Sequence, residues 1–271
     1  MSGSKMAVIA GDGGLPVEIA KRLTGQGNAP VVFTMRGDEE TFRGIADPLV
    51  RFRYPSLSRL LREIRRRGVE SVIMAGHIPK KLIYVPALLD PLFLKLMAKS
   101  ARDDHSLLAA VVAAFENEGI SVLPYRDILP ELLAPEGQLG HRPPTREETR
   151  DLEYGASVLS VTLPCSFGQA LVVAERAVVA VEALEGTDAM IERAGSLVHG
   201  GVLVKMMRVD QDSRYDLPTV GPETLENMAC AGLTCLAVEA RRTLILEVDA
   251  VLASARRHDI SIWGLPCQAV I

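Results

Sequence analysis

The sequence predicts an α/β protein in two parts: an N-terminal Rossmann-like βαβ domain with a parallel sheet, and a C-terminal α/β domain with a mixed sheet. Three observations lead there. Through the first half, short apolar runs alternate with amphipathic stretches, as strands joined by crossover helices require. Near the middle, Gly137-Gln138-Leu139-Gly140-His141-Arg142-Pro143-Pro144 is rich in turn formers and poor in apolar groups. Beyond it, two apolar runs separated only by Glu175-Arg176 read as a hairpin, which a purely parallel sheet lacks. The expected division is residues 1–136, a linker over 137–144, and residues 145–271.

Each element follows from its own residues. Residues 6–10 are a strand, 15–23 a helix, 31–35 a strand, 57–67 a helix and 72–75 a strand that Gly76-His77-Ile78-Pro79 ends. Helical periodicity resumes over 86–98 and 106–118, and 120–124 supplies another strand. The second domain opens with a helix over 145–160, with Glu147, Glu148 and Arg150 early in the run. Strands over 169–174 and 177–183 form the hairpin. Thr187 or Asp188 is placed to cap a helix reaching 194. A strand over 202–206, a helix over 223–231, a strand over 233–238, a helix over 248–257 and a strand over 260–263 complete the sheet. There is no internal repeat and no low-complexity tract.

The bulk numbers bound the function. Of 271 residues, 48% are hydrophobic and 24% charged, while only 4% are aromatic, so aliphatic side chains must build the cores. A formal charge of −4, a pI near 5.8 and a mean hydropathy of +0.18 offer no basic face for nucleic acid, which is not expected as a partner. Cys165, Cys230, Cys235 and Cys267 lack C-x-x-C spacing and read as reduced, mostly buried thiols of a cytoplasmic protein. No secretory leader or membrane span is expected.

The densest chemistry lies between Lys205 and Gly221, directly after the apolar run Gly201-Val202-Leu203-Val204. Lys205, Arg208 and Arg214 are its cations, Asp210, Asp212 and Asp216 its carboxylates, and Gln211 its amide. An apolar strand cannot continue through that much charge, so the chain should leave the sheet near Arg208. The spacing of the aspartates lets two or three oxygens converge on one hard cation, Mg2+ or Mn2+. Glu185-Gly186-Thr187-Asp188 adds two carboxylates and a hydroxyl at a helix start, a second wall for such a site or simply a helix cap. Gly11-Asp12-Gly13-Gly14-Leu15-Pro16 sits between strand and helix, where backbone N–H groups can cradle an anion. It is no dinucleotide fingerprint, because Pro16 stands where the last glycine should be and no acidic residue follows near Met35. Arg102-Asp103-Asp104 before a helix is explained more readily by N-capping than by ligand contact. His77, His105, His141, His199 and His258 are scattered, and neither a G-x-S-x-G motif nor a cysteine with a histidine partner supports covalent catalysis.

Read in order, several strings resemble one family. They are Gly11-x-Gly13-x-Leu15-Pro16, Ala75-Gly76-His77, Asp103-Asp104, Gly168-Gln169-Ala170, Val181-Glu182-Ala183-x-Glu185-Gly186-Thr187-Asp188-Ala189-Met190, and Gln211-Asp212-x-Arg214-x-Asp216-Leu217-Pro218-Thr219-x-Gly221. Together they are similar to the UDP-2,3-diacylglucosamine pyrophosphatase family of lipid A biosynthesis, over nearly the whole chain. The departures are Arg208-Val209 where the family usually has Lys-Pro, and Ala101 where it has glycine. The resemblance implies a two-domain cytoplasmic enzyme, with the lipid held between domains. A divalent cation would help water attack the phosphorus next to the sugar, yielding UMP and 2,3-diacylglucosamine 1-phosphate. It places the catalytic aspartate at Asp216.

With those roles in hand, Asp216 is the expected metal ligand with Asp188 or Asp212 beside it. Lys205 and Arg214 would clamp the phosphates and Glu185 would orient the nucleophile. Substrate contacts are implied at Gly11, Gly13, Leu15, Pro16, Gly76, Asp104, Thr187, Gln211, Arg214 and Thr219. Residues 82–97 could supply a dry groove for acyl chains and a transient contact with the inner membrane surface, although apolar stripes at helical spacing more often face a core. A homo-oligomer is compatible with these features. The competing readings are a non-catalytic nucleotide-sugar or lipid-binding protein and, less favoured, an NAD-dependent oxidoreductase.

Overall fold

The computed structural model describes residues 4–35, 40–52, 56–77, 90–99, 104–209, 211–212, 214 and 217–267. The chain forms two compact units, one of residues 1–130 with 212–216 and the other of residues 131–211 with 217–271.

The first unit is a parallel sheet with helices. Its elements are β1 (Met6–Ala10), α1 (Leu15–Gly25), β2 (Val31–Thr34), β3 (Leu49–Arg51), α2 (Leu57–Arg66), β4 (Ser71–Ala75), α3 (Pro91–Lys99), α4 (Asp104–Glu116) and β5 (Ser121–Val122). The strands run in the order β3-β2-β1-β4-β5 and every pairing is parallel. Burial on both faces explains why β1, β2 and β4 read as apolar runs broken only by the small hydroxyls of Thr34 and Ser71 at strand ends. Three-residue β3 leaves no such run in the sequence. The strand order reverses between β1 and β4, so the loops leaving those two strands flank the crevice where open α/β sheets bind ligands. Of the helix expected over 86–98, residues 86–89 lie outside the described residues. Its remainder is α3, whose start is fixed by Asp90: the carboxylate accepts from Phe93 N at 2.8 Å and from Ser58 N at 2.7 Å, so it caps α3 and α2 together.

The second unit holds β6 (Gly137–Gln138), α5 (Arg146–Thr162), β7 (Ala170–Ala174), β8 (Ala177–Val181), α6 (Thr187–Gly195), β9 (Val202–Lys205), β10 (Thr219–Val220), α7 (Pro222–Cys230), β11 (Cys235–Glu239), β12 (Leu244–Ile245), α8 (Val248–Arg257) and β13 (Ser261–Leu265). The main sheet has the order β6-β13-β11-β9-β7-β8. Its centre is parallel, while the β7–β8 hairpin and β6 are antiparallel, giving the expected mixed sheet. β10 and β12 pair separately. Gly137 and Gln138, within the expected linker, pair with β13, and their turn-like composition concealed so short a strand.

Both faces of this sheet are covered, and side-chain alternation assigns them. Leu171, Val173, Val202, Val204, Cys235 and Ala237 pack with Leu152 and Leu159 of α5. Val172, Leu203, Leu236 and Val238 point the other way, into a core with Met190 and Ile191 of α6, Leu225 and Met228 of α7, and Val251 of α8. The Asp151 carboxylate, itself buried, accepts from Glu175 N and Arg176 N and so stitches the hairpin turn to α5.

Candidate functional site

The alternation along β9 places Lys205. Leu203 faces the α6 side, and so therefore does Lys205 two residues on, at the end of the strand. The residue is 9% exposed. Nζ donates to Thr187 Oγ1 at 3.1 Å and to the Thr219 carbonyl at 3.2 Å. Thr187 in turn donates to Glu182 Oε1 at 2.8 Å, and Glu182 Oε2 accepts from Gln169 N at 3.0 Å. Because the single Thr187 proton is committed to Glu182, the hydroxyl offers Lys205 a lone pair. Gln169 Nε2 reaches Gln211 Oε1 at 3.5 Å. Loops after β8 and β9 and the residues entering β7 and β10 thus meet at one end of the sheet. Among the described residues, Thr187 and Thr219 account for two of the three ammonium N–H groups, which leaves one for an anionic oxygen.

The expected cap at the start of α6 is corrected here. Gly186 is the N-cap, with φ 86° and ψ 172°, and no side chain caps the helix. Only glycine adopts that backbone without strain. Thr187 is therefore the first helical residue, and its hydroxyl is released for Glu182 and Lys205.

The neighbouring carboxylates have distinct partners. Asp188, exposed in the first turn of α6, accepts from Asn227 Nδ2 at 3.0 Å. Glu185 pairs with Arg193 at 2.7 Å, and that guanidinium holds its carboxyl below the usual range. An anionic positioning group suits Glu185 better than a strong proton acceptor. Asp212 accepts from Arg214 Nε at 2.9 Å, from Nη2 at 2.6 Å and from Arg214 N at 3.0 Å, while Glu116 takes Nη1 at 2.5 Å. The hydrogen bonds that Arg214 donates to Asp212, ahead of that to Glu116, raise its pKa further. In this arrangement Asp212 serves Arg214, and a cation would have to displace the guanidinium to reach it. Among the described residues no group of three or more histidines, cysteines, aspartates or glutamates gathers as a metal site. Asp210 and Asp216 lie outside the described residues.

In the first unit the glycine loop is locked to the loop after β4. Gly11 N donates to the Ala75 carbonyl at 2.8 Å, Asp12 N to the His77 carbonyl at 2.7 Å, and His77 N back to the Asp12 carbonyl at 2.9 Å. A Cβ on Gly11 would sit 2.6 Å from the His77 carbonyl oxygen, and one on Gly76 2.7 Å from that of Asp12. Both glycines are needed for this close approach. Gly13, with φ +101°, has open space beside it. Leu15 and Pro16 are buried in the first turn of α1, and Pro16 removes one backbone donor from that end of the helix. Asp104 opens α4.

The structure thus brings Lys205, Thr187, Thr219 and Gln211 together, and Gly11 with Gly76 separately. Glu182 and Gln169 complete the Lys205 network although sequence reasoning gave them no role. Their signal was present in the strings Gly168-Gln169-Ala170 and Val181-Glu182-Ala183. Gly168 is required there because a Cβ would collide with the Glu182 carbonyl.

Comparison with known proteins spans the chain. Residues 5–132 match the LpxI N-terminal domain and residues 135–263 the LpxI C-terminal domain. The sequence is 32% identical over 284 aligned residues to UDP-2,3-diacylglucosamine pyrophosphatase LpxI of Caulobacter vibrioides, covering 97% of this chain and 98% of that protein. The solved structure of CobK precorrin-6A reductase aligns with a TM-score of 0.32 and 14% identity, over 99% of this chain and 90% of that one. A likeness so slight bears on neither fold nor function.

Proposed function

The chain belongs to the LpxI family, and from that premise we propose that it hydrolyses the pyrophosphate of UDP-2,3-diacylglucosamine to UMP and 2,3-diacylglucosamine 1-phosphate. The observation that supports a role in phosphate chemistry is Lys205: a nearly buried ammonium seated by a hydroxyl and a carbonyl, with a donor that no described residue takes up. Burying a cation is costly without a partner, and a pyrophosphate oxygen is the partner such a seat awaits. Thr187 and Glu182 keep the ammonium oriented, and the amide of Gln211 beside Gln169 adds a second polar contact.

A divalent cation, Mg2+ or Mn2+, belongs to this reading, with Asp216 and Asp188 as its holders and Asp212 joining them only on releasing Arg214. The exposed Asp188 carboxylate is a hard oxygen donor of the right kind. Bound there, the ion would lower the pKa of a water and offset charge on the pyrophosphate. Glu185, kept anionic by Arg193, would orient the attacking water, and Gly11, Gly13 and Gly76 would let backbone approach the substrate closely. A diacylated substrate resides in a membrane, so we assign the chain a transient contact with the inner membrane surface. No helix among the described residues is long and apolar enough to cross a membrane.

The test uses the purified chain, UDP-2,3-diacylglucosamine and magnesium in water enriched in heavy oxygen. Release of UMP, with the label in the sugar phosphate, is expected, and chelation should abolish it until metal is restored. Tight binding of the substrate with no UMP formed would favour the non-catalytic alternative.

A further inference from the structure

β9 ends at Lys205, and the chain that follows must find new partners for its backbone as it leaves the sheet. Two side chains supply them. Glu239 closes β11, the strand paired with β9, and is fully buried, at 0% exposure. Its Oε2 accepts the Met207 N–H at 3.0 Å. Arg242 donates Nη1 to Glu239 Oε1 at 3.1 Å and Nη2 to the Arg208 carbonyl at 2.6 Å. One ion pair therefore grips two consecutive loop residues, through the N–H of the first and the C=O of the second. Apolar residues of similar volume would serve stability as well or better than a buried ion pair. What they could not do is bond both backbone groups, and so set the direction in which the loop departs.

Three residues beyond Arg208 stands Gln211, whose Oε1 accepts from Gln169 Nε2 at 3.5 Å beside the Lys205 network. We infer that Glu239 and Arg242 are positioning residues for the hydrolysis, acting through Met207 and Arg208 to set where Gln211 joins the Lys205 network. The inference rests on the activity proposed above and adds residues to which nothing in that reading assigns a part.

Arg242→Lys keeps the charge that Glu239 needs but loses the planar fork that reaches the Arg208 carbonyl. Its kcat for UMP release should fall about 100-fold, the scale on which a displacement of roughly an ångström acts, with KM and melting temperature little changed. The paired variant Glu239→Gln/Arg242→Met leaves no unpaired charge behind, and without substrate it should show faster amide hydrogen exchange at residues 207–212 than the wild type. Ser254→Ala, which removes the hydrogen bond from a buried hydroxyl to the half-exposed Glu226, serves as the stability control and should retain full kcat. A wild-type protein that releases no UMP defeats the hydrolase reading, and the exchange comparison then judges the loop grip alone. Wild-type kcat in Arg242→Lys, unchanged exchange in the paired variant, or an equal loss of kcat in Ser254→Ala would each overturn the positioning role.

Discussion

Lys205 shows how much one side chain's environment adds to its identity. An exposed lysine at a strand end would be a solvated charge, whereas this one is 9% exposed and bonded to Thr187 and Thr219. Lys205→Met keeps the aliphatic stem and deletes the ammonium. If Lys205 stabilises charge on the pyrophosphate, turnover should drop by about 100- to 1000-fold. The melting temperature should hold or rise, because a costly buried charge has gone. Thr187→Val tests the seat rather than the charge: loss of a hydrogen bond to a charged group costs about 1.5–3 kcal/mol, so activity should fall by roughly ten- to a hundredfold. Wild-type kinetics in both variants would remove Lys205 from the site. The residue types here were legible in the sequence, and so was their company in motifs. The direction of each bond was not: Thr187 was expected to cap a helix, and Gly186 took that place because its backbone lies at φ 86°.

At the scale of elements, α5 depends on a contact that no periodicity argument exposes. Gly155 lies in the middle of that helix, where glycine costs about 1 kcal/mol relative to alanine. A Cβ there would stand 2.6 Å from Val204 Cγ2 and 3.1 Å from Val173 Cγ2. The missing side chain lets α5 lie close on β7 and β9. Gly155→Ala should therefore destabilise the chain by about 1–3 kcal/mol, despite its better helix propensity, as measured by urea unfolding. A stabilised variant would mean that the helix can shift freely on the sheet. The same face of β9 carries Val202 and Val204, and the opposite face carries Leu203 and Lys205, so a displaced α5 acts on the site through the strand itself. Long elements were readable because each pairs a hydrophobic period with a clear boundary, as in α5 with its Thr145–Glu148 capping box. β3, β6, β10 and β12, of two or three residues each, have no period to read.

For the molecule as a whole, the stretch expected to be a linker is pinned by charge. Arg142 donates to both oxygens of Glu148 at 2.8 and 2.9 Å, and also to the carbonyls of Thr234 and Asp259 at 3.0 and 2.8 Å. Burial works to raise the Glu148 carboxyl, but the bonds from Arg142 and Thr145 N–H prevail and hold it below its usual range. A depressed folded pKa contributes stability that is complete above the unfolded value, about 4.3 for glutamate, and is lost as pH falls through the folded one. Glu148→Gln should thus melt lower than the wild type at neutral pH, and the gap should close in acid. A gap that stays constant with pH would show that the charge is not the source. Sequence alone determined the alternation of strands and helices, the parallel character of the first sheet, the hairpin in the second and the family, since these follow from local period, turn chemistry and motif strings. Only the tertiary structure decided which of the polar residues meet. Gln169, the Glu182–Thr187 pair and Lys205 are separate along the chain, and the pairing of β7 with β9, together with the glycine cap of α6, closes the distances between them. Hydrogen bonds act over about 3 Å, a length that sequence spacing does not encode.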